Sequence, residues 1–208
     1  LWSLFFACLI GLFVGILSVL KSRVCNIIAT IFVDIIRGVP MIVLAFYVFF
    51  AVPMLLNNIL HLNTMLGLSG SITLSGLQAG TICLALNCGA YMAEIIRAGI
   101  ESVDKGQMEA ARSLGLNYTQ ATWRVILPQT IKNVFPSLGN ELIVLLKETS
   151  ISGYIALQDL TKAGDIVRSR TYLPFFPYIS VAAIYLVLVL ILEKILGNIE
   201  GRLAASDR

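Results

Sequence analysis

Long apolar runs separated by short polar breaks dominate this chain. A bilayer core about 30 Å thick takes roughly 20 helical residues per crossing, and five runs approach that length. They are Leu1 to Leu20, Met41 to Leu56, Ser75 to Ile96, Val134 to Leu146 with a continuation, and Leu173 to Leu192. No charged residue occurs from Gly38 to Ala93, nor between Arg170 and Glu193, so both stretches can sit in hydrocarbon without ionic cost. The pattern predicts an all-α integral membrane protein with about five transmembrane helices.

The polar breaks have their own structure. Ile27 to Arg37 reads as an interfacial helix whose Asp34 and Arg37, at i,i+3, can pair on one face, and Gly38 and Pro40 end it. Gly67 to Gly76, rich in Gly and Ser, reads as an exposed loop. There is no internal repeat and no separate soluble domain, so residues 1–208 are expected to form one transmembrane domain. The opening run lacks a basic leader and an A-x-A site, and therefore reads as a true span; because the chain begins inside it, the natural start is expected further upstream.

Charge sets the expected orientation. Lys21 and Arg23 follow the first span, Arg97 to Lys132 holds five basic residues, and Asn57 to Thr73 holds none. By the positive-inside rule the amino terminus lies outside and the carboxyl terminus in the cytoplasm. Lys162, Arg168 and Arg170 fall on the outer side against that rule, offset in part by Asp159 and Asp165.

Composition narrows the function. With 58% hydrophobic and 13% charged residues and a mean hydropathy of +0.87, the chain is too apolar for an ordinary soluble domain. Its net charge of +3 is spread between spans and so serves topology rather than nucleic acid. Cys8, Cys25, Cys83 and Cys88 form no C-x-x-C pair, and His61 is the single histidine, so neither a zinc site nor a Ser-His-Asp arrangement is indicated. Gly15 to Ser22 comes near a phosphate-binding loop, but Leu20 stands where the second glycine belongs and the segment lies in a span. Any ATP hydrolysis is expected from a partner.

Val103 to Pro128 is the polar exception. Gln107 to Leu114 are good helix formers, Gly115 suits a left-handed stop, Asn117 with Gln120 resembles a capping box, and Pro128 is placed to end a second short helix. Two short helices meeting at a sharp turn would expose Glu109 and Arg112 beside the small Ala110 and Ala111. Such a pair is also the shape of a helix-turn-helix DNA reader, or of a plain structured loop. From Arg97 to Lys132 three acids offset the five bases, a poor footprint for phosphate.

Glu109-Ala110-Ala111, Gly115, and Val125, Leu127 and Pro128 resemble the EAA motif of ATP-binding-cassette importer permeases, with Val125 in place of its Ile. Ile36 to Pro40, Asn87 to Glu94, Arg97 to Ile100, Gly139 to Glu141 and Leu146 to Ser150 are similar to the polar amino acid branch, whose Gly-Thr-Pro is Gly-Val-Pro here. The resemblance implies a type I importer permease fold in the prokaryotic plasma (inner) membrane, pairing with a second copy or paralogue. It also implies an extracytoplasmic amino acid binding protein and two cytoplasmic ATPases, which bind the ATP and Mg while this chain binds no cofactor. Glu109, Ala110, Ala111, Arg112, Gly115, Leu127 and Pro128 would then couple to an ATPase groove.

Polar groups inside a membrane mark pathways by default. Asn87, Tyr91 and Glu94 lie at i, i+4 and i+7 and share one helical face, and Glu141 interrupts an otherwise apolar fourth span. With Asp159 they are the candidate substrate-pathway residues, their carboxylates suited to an amino or guanidinium group. The alternative is that Asn87 and Tyr91 bond neighbouring helices while Glu94 pairs with Arg97. Lys147 stands beside Glu148 and is placed to neutralise it. The expected function is the translocation pathway for a polar amino acid, basic ones included. An ion-coupled secondary transporter or channel, and a membrane scaffold, are the competing readings.

Overall fold

A computed structural model of the chain describes residues 1–65, 67 and 70–205. All of its described regular structure is helical. Within the expected loop from Gly67 to Gly76, residues 68 and 69 lie outside the described residues.

Helix α1 (Trp2–Val19) packs along α6 (Gly76–Glu101), which is the buried centre of the bundle. Small residues make this contact close. A Cβ on Gly11 would stand 2.5 Å from that of Met92, and one on Gly89 would stand 2.8 Å from Ile10 Cγ2. Helix α2 (Arg23–Gly38) lies against both, burying Ala29 and Val33 with Val14 and Ala93 while Val24, Ile27, Ile28, Ile31 and Ile35 stay exposed. That is the interfacial amphipathic helix expected, four residues longer at its start.

The second span, Met41–Ile59, joins α3 (Met41–Phe46) and α4 (Val52–Met54) through the π-helical turns Tyr47–Ala51 and Leu55–Ile59. Wide turns beside Pro53 accommodate a ring that has no N–H to give the ladder. Asn57 fastens the end of this span, its Nδ2 donating to the carbonyls of Pro53 and Ile72 and its Oδ1 accepting from the Ile72 amide, all at 2.7 Å. A short α5 (Leu62–Met65) lies in the connection. Ser75 and Gln78 then form a reciprocal capping box that starts α6.

Beyond α6 come α7 (Lys105–Ser113), α8 (Tyr118–Ala121), a π-helical turn (Thr122–Ile126), α9 (Leu127–Glu148), a 3-10 stretch (Thr149–Ile155), α10 (Leu160–Thr171) and α11 (Phe175–Ala205). Among the described residues four helices are long and apolar enough to cross a membrane, namely Trp2–Val19, Met41–Ile59, Gly76–Glu101 and Phe175–Arg202. The fifth expected span is α9, whose 22 residues reach about 33 Å at 1.5 Å each. It carries Lys132, Glu141, Lys147 and Glu148 and packs between α6 and α11, so part of its polarity faces protein instead of lipid.

Pro128 corrects one expectation. It does not end a helix but lies in the first turn of α9, where a missing N–H costs nothing, and the π-helical turn before it carries the chain through without a break.

Candidate functional site

Two regions carry the candidate residues, and the first is the segment between α6 and α9. Asp104 caps α7, its Oδ1 accepting from the Gly106 amide at 2.6 Å. The helix stops where Gly115 turns left-handed at φ 86°, and the amides of Gly115 and Leu116 close onto the carbonyls of Arg112 and Ala111 at 3.0 and 3.3 Å. Asn117 and Gln120 exchange backbone-to-side-chain bonds at 3.0 and 2.8 Å, forming the reciprocal cap that starts α8. Two further bonds root the segment in the bundle. Gln129 Nε2 donates to Gln107 Oε1 at 3.2 Å, and Asn133 Nδ2 to Ser102 Oγ at 2.9 Å.

Glu109, Ala110 and Arg112 face outward, but Ala111 is only 4% exposed because α7 packs back on α8 and the turn after it. Ala111 therefore cannot offer close approach to a partner; it offers it to its own chain. Leu127 is half-buried and Pro128 exposed at the root of α9. The surface also includes residues that sequence reasoning missed: Leu114, Tyr118 and Trp123 are 85%, 63% and 66% exposed. An apolar residue directly before a left-handed glycine was the available signal, since such a turn holds its neighbours away from the helix that precedes it.

The second region is the polar interior between α6 and α9. Asn87 Nδ2 donates to both carboxylate oxygens of Glu148, at 3.1 and 3.0 Å. About two turns back along the same face of α9, Glu141 is 7% exposed, its Oε1 has no hydrogen-bond partner among the described residues, and the Cys88 thiol is its neighbour on α6. Asn87 and Glu141 thus belong to one cluster, and Glu148 joins them. The expectation that Lys147 neutralises Glu148 is corrected, because Lys147 is exposed while Glu148 turns inward to Asn87. The i,i+7 spacing of Glu141 and Glu148 was the sequence signal for this.

Tyr91 and Glu94 go elsewhere. The Arg37 guanidinium lies over the Tyr91 ring, 4.8 Å from its centroid, so Arg37 is turned to α6 and not to Asp34. Arg97 pairs with Glu94 at 2.5 Å and with Glu101 at 2.7 Å. Glu94 and Arg97 line a cavity of about 330 Å³ with Asp34, Arg37 and Glu101.

Asp159 is placed apart from both groups. It caps α10, its two carboxylate oxygens accepting from the Lys162 and Thr161 amides at 2.9 and 3.1 Å, and no contact among the described residues joins it to Asn87, Glu141 or Glu148. On the same helix Asp165 binds Arg168 at 2.6 Å and Lys162 at 3.2 Å, which hold its carboxyl below the usual range and offset two of the three bases that broke the charge rule. Gly15, once a candidate for phosphate contact, lies inside α1 against Ala93 and Ile96. No group of three His, Cys, Asp or Glu able to hold a metal occurs among the described residues.

Membrane-length helices around a buried α6, with a polar segment rooted between α6 and α9, describe a multi-spanning membrane protein. Residues 7–205 match the binding-protein-dependent transport system inner membrane component family, and the chain belongs to that family. It is 39% identical over 197 residues to the probable glutamine ABC transporter permease protein GlnM of Bacillus subtilis (strain 168), covering 95% of this chain and 84% of that one. It is 31% identical over 194 residues to the glutamine transport system permease protein GlnP of Escherichia coli (strain K12), covering 93% and 83%. The crystal structure of an amino acid ABC transporter with histidines superposes with a TM-score of 0.82 at 39% identity, over 97% of this chain and 87% of that one. The inward-facing MetNI methionine ABC transporter shares the fold at a TM-score of 0.73 and 20% identity, over 97% and 89%.

Proposed function

We propose that this chain is the transmembrane subunit of an ABC importer and forms the translocation pathway for a polar amino acid, basic ones included. The observation that carries this is the buried Glu141, one of whose carboxylate oxygens has no hydrogen-bond partner among the described residues, beside the half-buried Glu148 and its Asn87 amide. Buried charge without a basic partner is expensive unless something supplies one. An amino or guanidinium group supplies it, and the Asn87 amide fixes its orientation. The glutamine permeases and the amino acid transporter structure to which the chain is similar support the substrate class.

On this reading Glu109, Ala110, Arg112, Gly115, Leu127 and Pro128, with Leu114, form the contact for one of two partner ATPases, which bind ATP and Mg while this chain hydrolyses nothing. Closure of the ATPases pushes α7, and the Gln107–Gln129 and Ser102–Asn133 bonds pass the push to α9, which carries Glu141 and Glu148. A second copy or paralogue completes the pathway, and a binding protein delivers substrate on the side of the amino terminus. The carboxyl terminus and α7 face the cytoplasm.

The test is reconstitution in liposomes with and without the ATPases and binding protein, across a panel of amino acids and sugars. ATP-dependent uptake of polar amino acids is the expected result. Uptake by the chain alone under an ion gradient, or stimulation by sugars only, overturns the proposal.

A further inference from the structure

The cavity between α2 and α6 holds chemistry that the translocation pathway does not use. Its lining includes Asp34 and Arg37 from α2 and Glu94, Arg97 and Glu101 from α6. Arg97 is taken up by Glu94 and Glu101. Neither Asp34 nor Arg37 makes a hydrogen bond or ion pair with any described residue; Arg37 stacks on Tyr91, and its charge also reaches Glu94 and Glu141 through space. An acid and a base one turn apart on one helix thus both line the same opening without a hydrogen-bonded partner among the described residues.

Charge decides what fits. A bare anion meets three carboxylates, Asp34, Glu94 and Glu101; a bare cation meets Arg37 and Arg97. A zwitterion meets each with its opposite. The floor is apolar, made by Ala29, Val33 and Ala93. At about 330 Å³ the cavity sits at the small end of ligand pockets, roughly 300–1,000 Å³, which favours a small molecule over a nucleotide.

We infer that this cavity is a second amino acid site, in which Arg37 takes the carboxylate and Asp34 the ammonium of a free α-amino acid. The inference rests on the importer reading. Only three residues separate Glu101, the end of α6, from Lys105, the start of α7, so the site lies at the coupling end of the bundle, where imported product accumulates. A ligand bridging α2 to α6 there holds the two helices together and slows the cycle, which makes the site a brake applied by product.

The test uses the whole complex, with its ATPases and binding protein, in liposomes of phosphatidylcholine and phosphatidylglycerol enclosing ATP. Preloading the lumen with the transported amino acid is expected to slow initial uptake by the wild-type complex roughly fivefold or more, the low end of ordinary allosteric coupling. Asp34→Asn and Arg37→Gln each relieve the slowing, and Arg37→Lys keeps part of it. Slowing that persists unchanged in Asp34→Asn and Arg37→Gln overturns the assignment. So does slowing that follows added phosphatidylethanolamine, whose headgroup shares the zwitterion chemistry, instead of the amino acid.

For a variant that no longer transports, equilibrium dialysis of the labelled amino acid against the detergent-solubilised permease–ATPase complex gives the answer. Fewer molecules bound per complex than wild type supports the site, and an unchanged number overturns it. Wild-type uptake that is present but indifferent to the lumen removes this inference alone, whereas absent uptake removes the importer reading with it.

Discussion

Asn87 on α6 and Glu148 at the end of α9 are locked together by two hydrogen bonds, both from one amide nitrogen, at 3.1 and 3.0 Å. Their partnership joins the most buried helix of the bundle to the helix that is rooted in the polar segment after α6. Any movement of α9 must either carry Asn87 with it or break this contact.

Asn87→Leu leaves the Glu148 carboxylate without its donor. Loss of a hydrogen bond to a buried charged group is expected to cost about 1–3 kcal/mol. A lowered melting temperature of the purified complex, together with a raised KM for uptake, is the expected outcome. A raised KM without a change in melting would place Asn87 on the substrate alone.

Glu141 and Asp159 part company. Glu141→Gln removes the orphaned charge and is expected to depress uptake of a basic amino acid on the order of tenfold, about 1.4 kcal/mol, while the ATPases still co-purify. Asp159→Ala removes a helix cap and is expected to cost about 1 kcal/mol of stability with little change in KM. Uptake assays over a series of substrate concentrations separate the two.

Ala110 and Ala111 are adjacent in sequence and opposite in exposure. Ala111→Leu overfills a buried position and is expected to destabilise the fold by about 1–3 kcal/mol. Ala110→Leu is expected to leave melting unchanged and weaken capture of the ATPase. Co-purification alongside a melting curve distinguishes them, and equal loss of stability in both would refute the assignment.

Gln129→Ala with Asn133→Ala cuts the bonds that tie Gln107 of α7 and Ser102, just after α6, to the root of α9. The ATPases are expected to bind and hydrolyse ATP while uptake falls several-fold. Simultaneous measurement of phosphate release and substrate accumulation reads the uncoupling directly; a proportional fall in both would show that the bonds serve assembly instead.

The helices themselves were legible because each obeyed a local rule. Gly115, Asn117 and Gln120 specify a stop and a start within a few residues of one another, and the structure forms both as written. Apolar length located the starts of four spans to within a few residues for the same reason, but α11 runs on past Leu192 to Ala205 and α9 begins at Leu127, before the expected Val134. What sequence could not resolve was direction. Asn87, Tyr91 and Glu94 share a nominal face, yet a helix as buried as α6 meets different neighbours on each turn, so Asn87 finds α9 and Tyr91 finds α2. Pro128 misled because a helix-breaking residue at the start of one helix looks the same in sequence as one at the end of another. That Asp159 caps α10 was not legible because a capping carboxylate and a binding carboxylate are the same chemical group until the backbone amides are placed.

The three bonds made by Asn57 have a practical use. Two of them tie the end of the second span to Ile72 and so close the connection into a ring anchored at Asn57. Gly70 lies within that ring, exposed, with nothing within 4 Å of where a side chain would begin. An epitope inserted at Gly70 can therefore be reached by an antibody without straining a span, and intact cells that bind it report which face of the membrane the loop occupies.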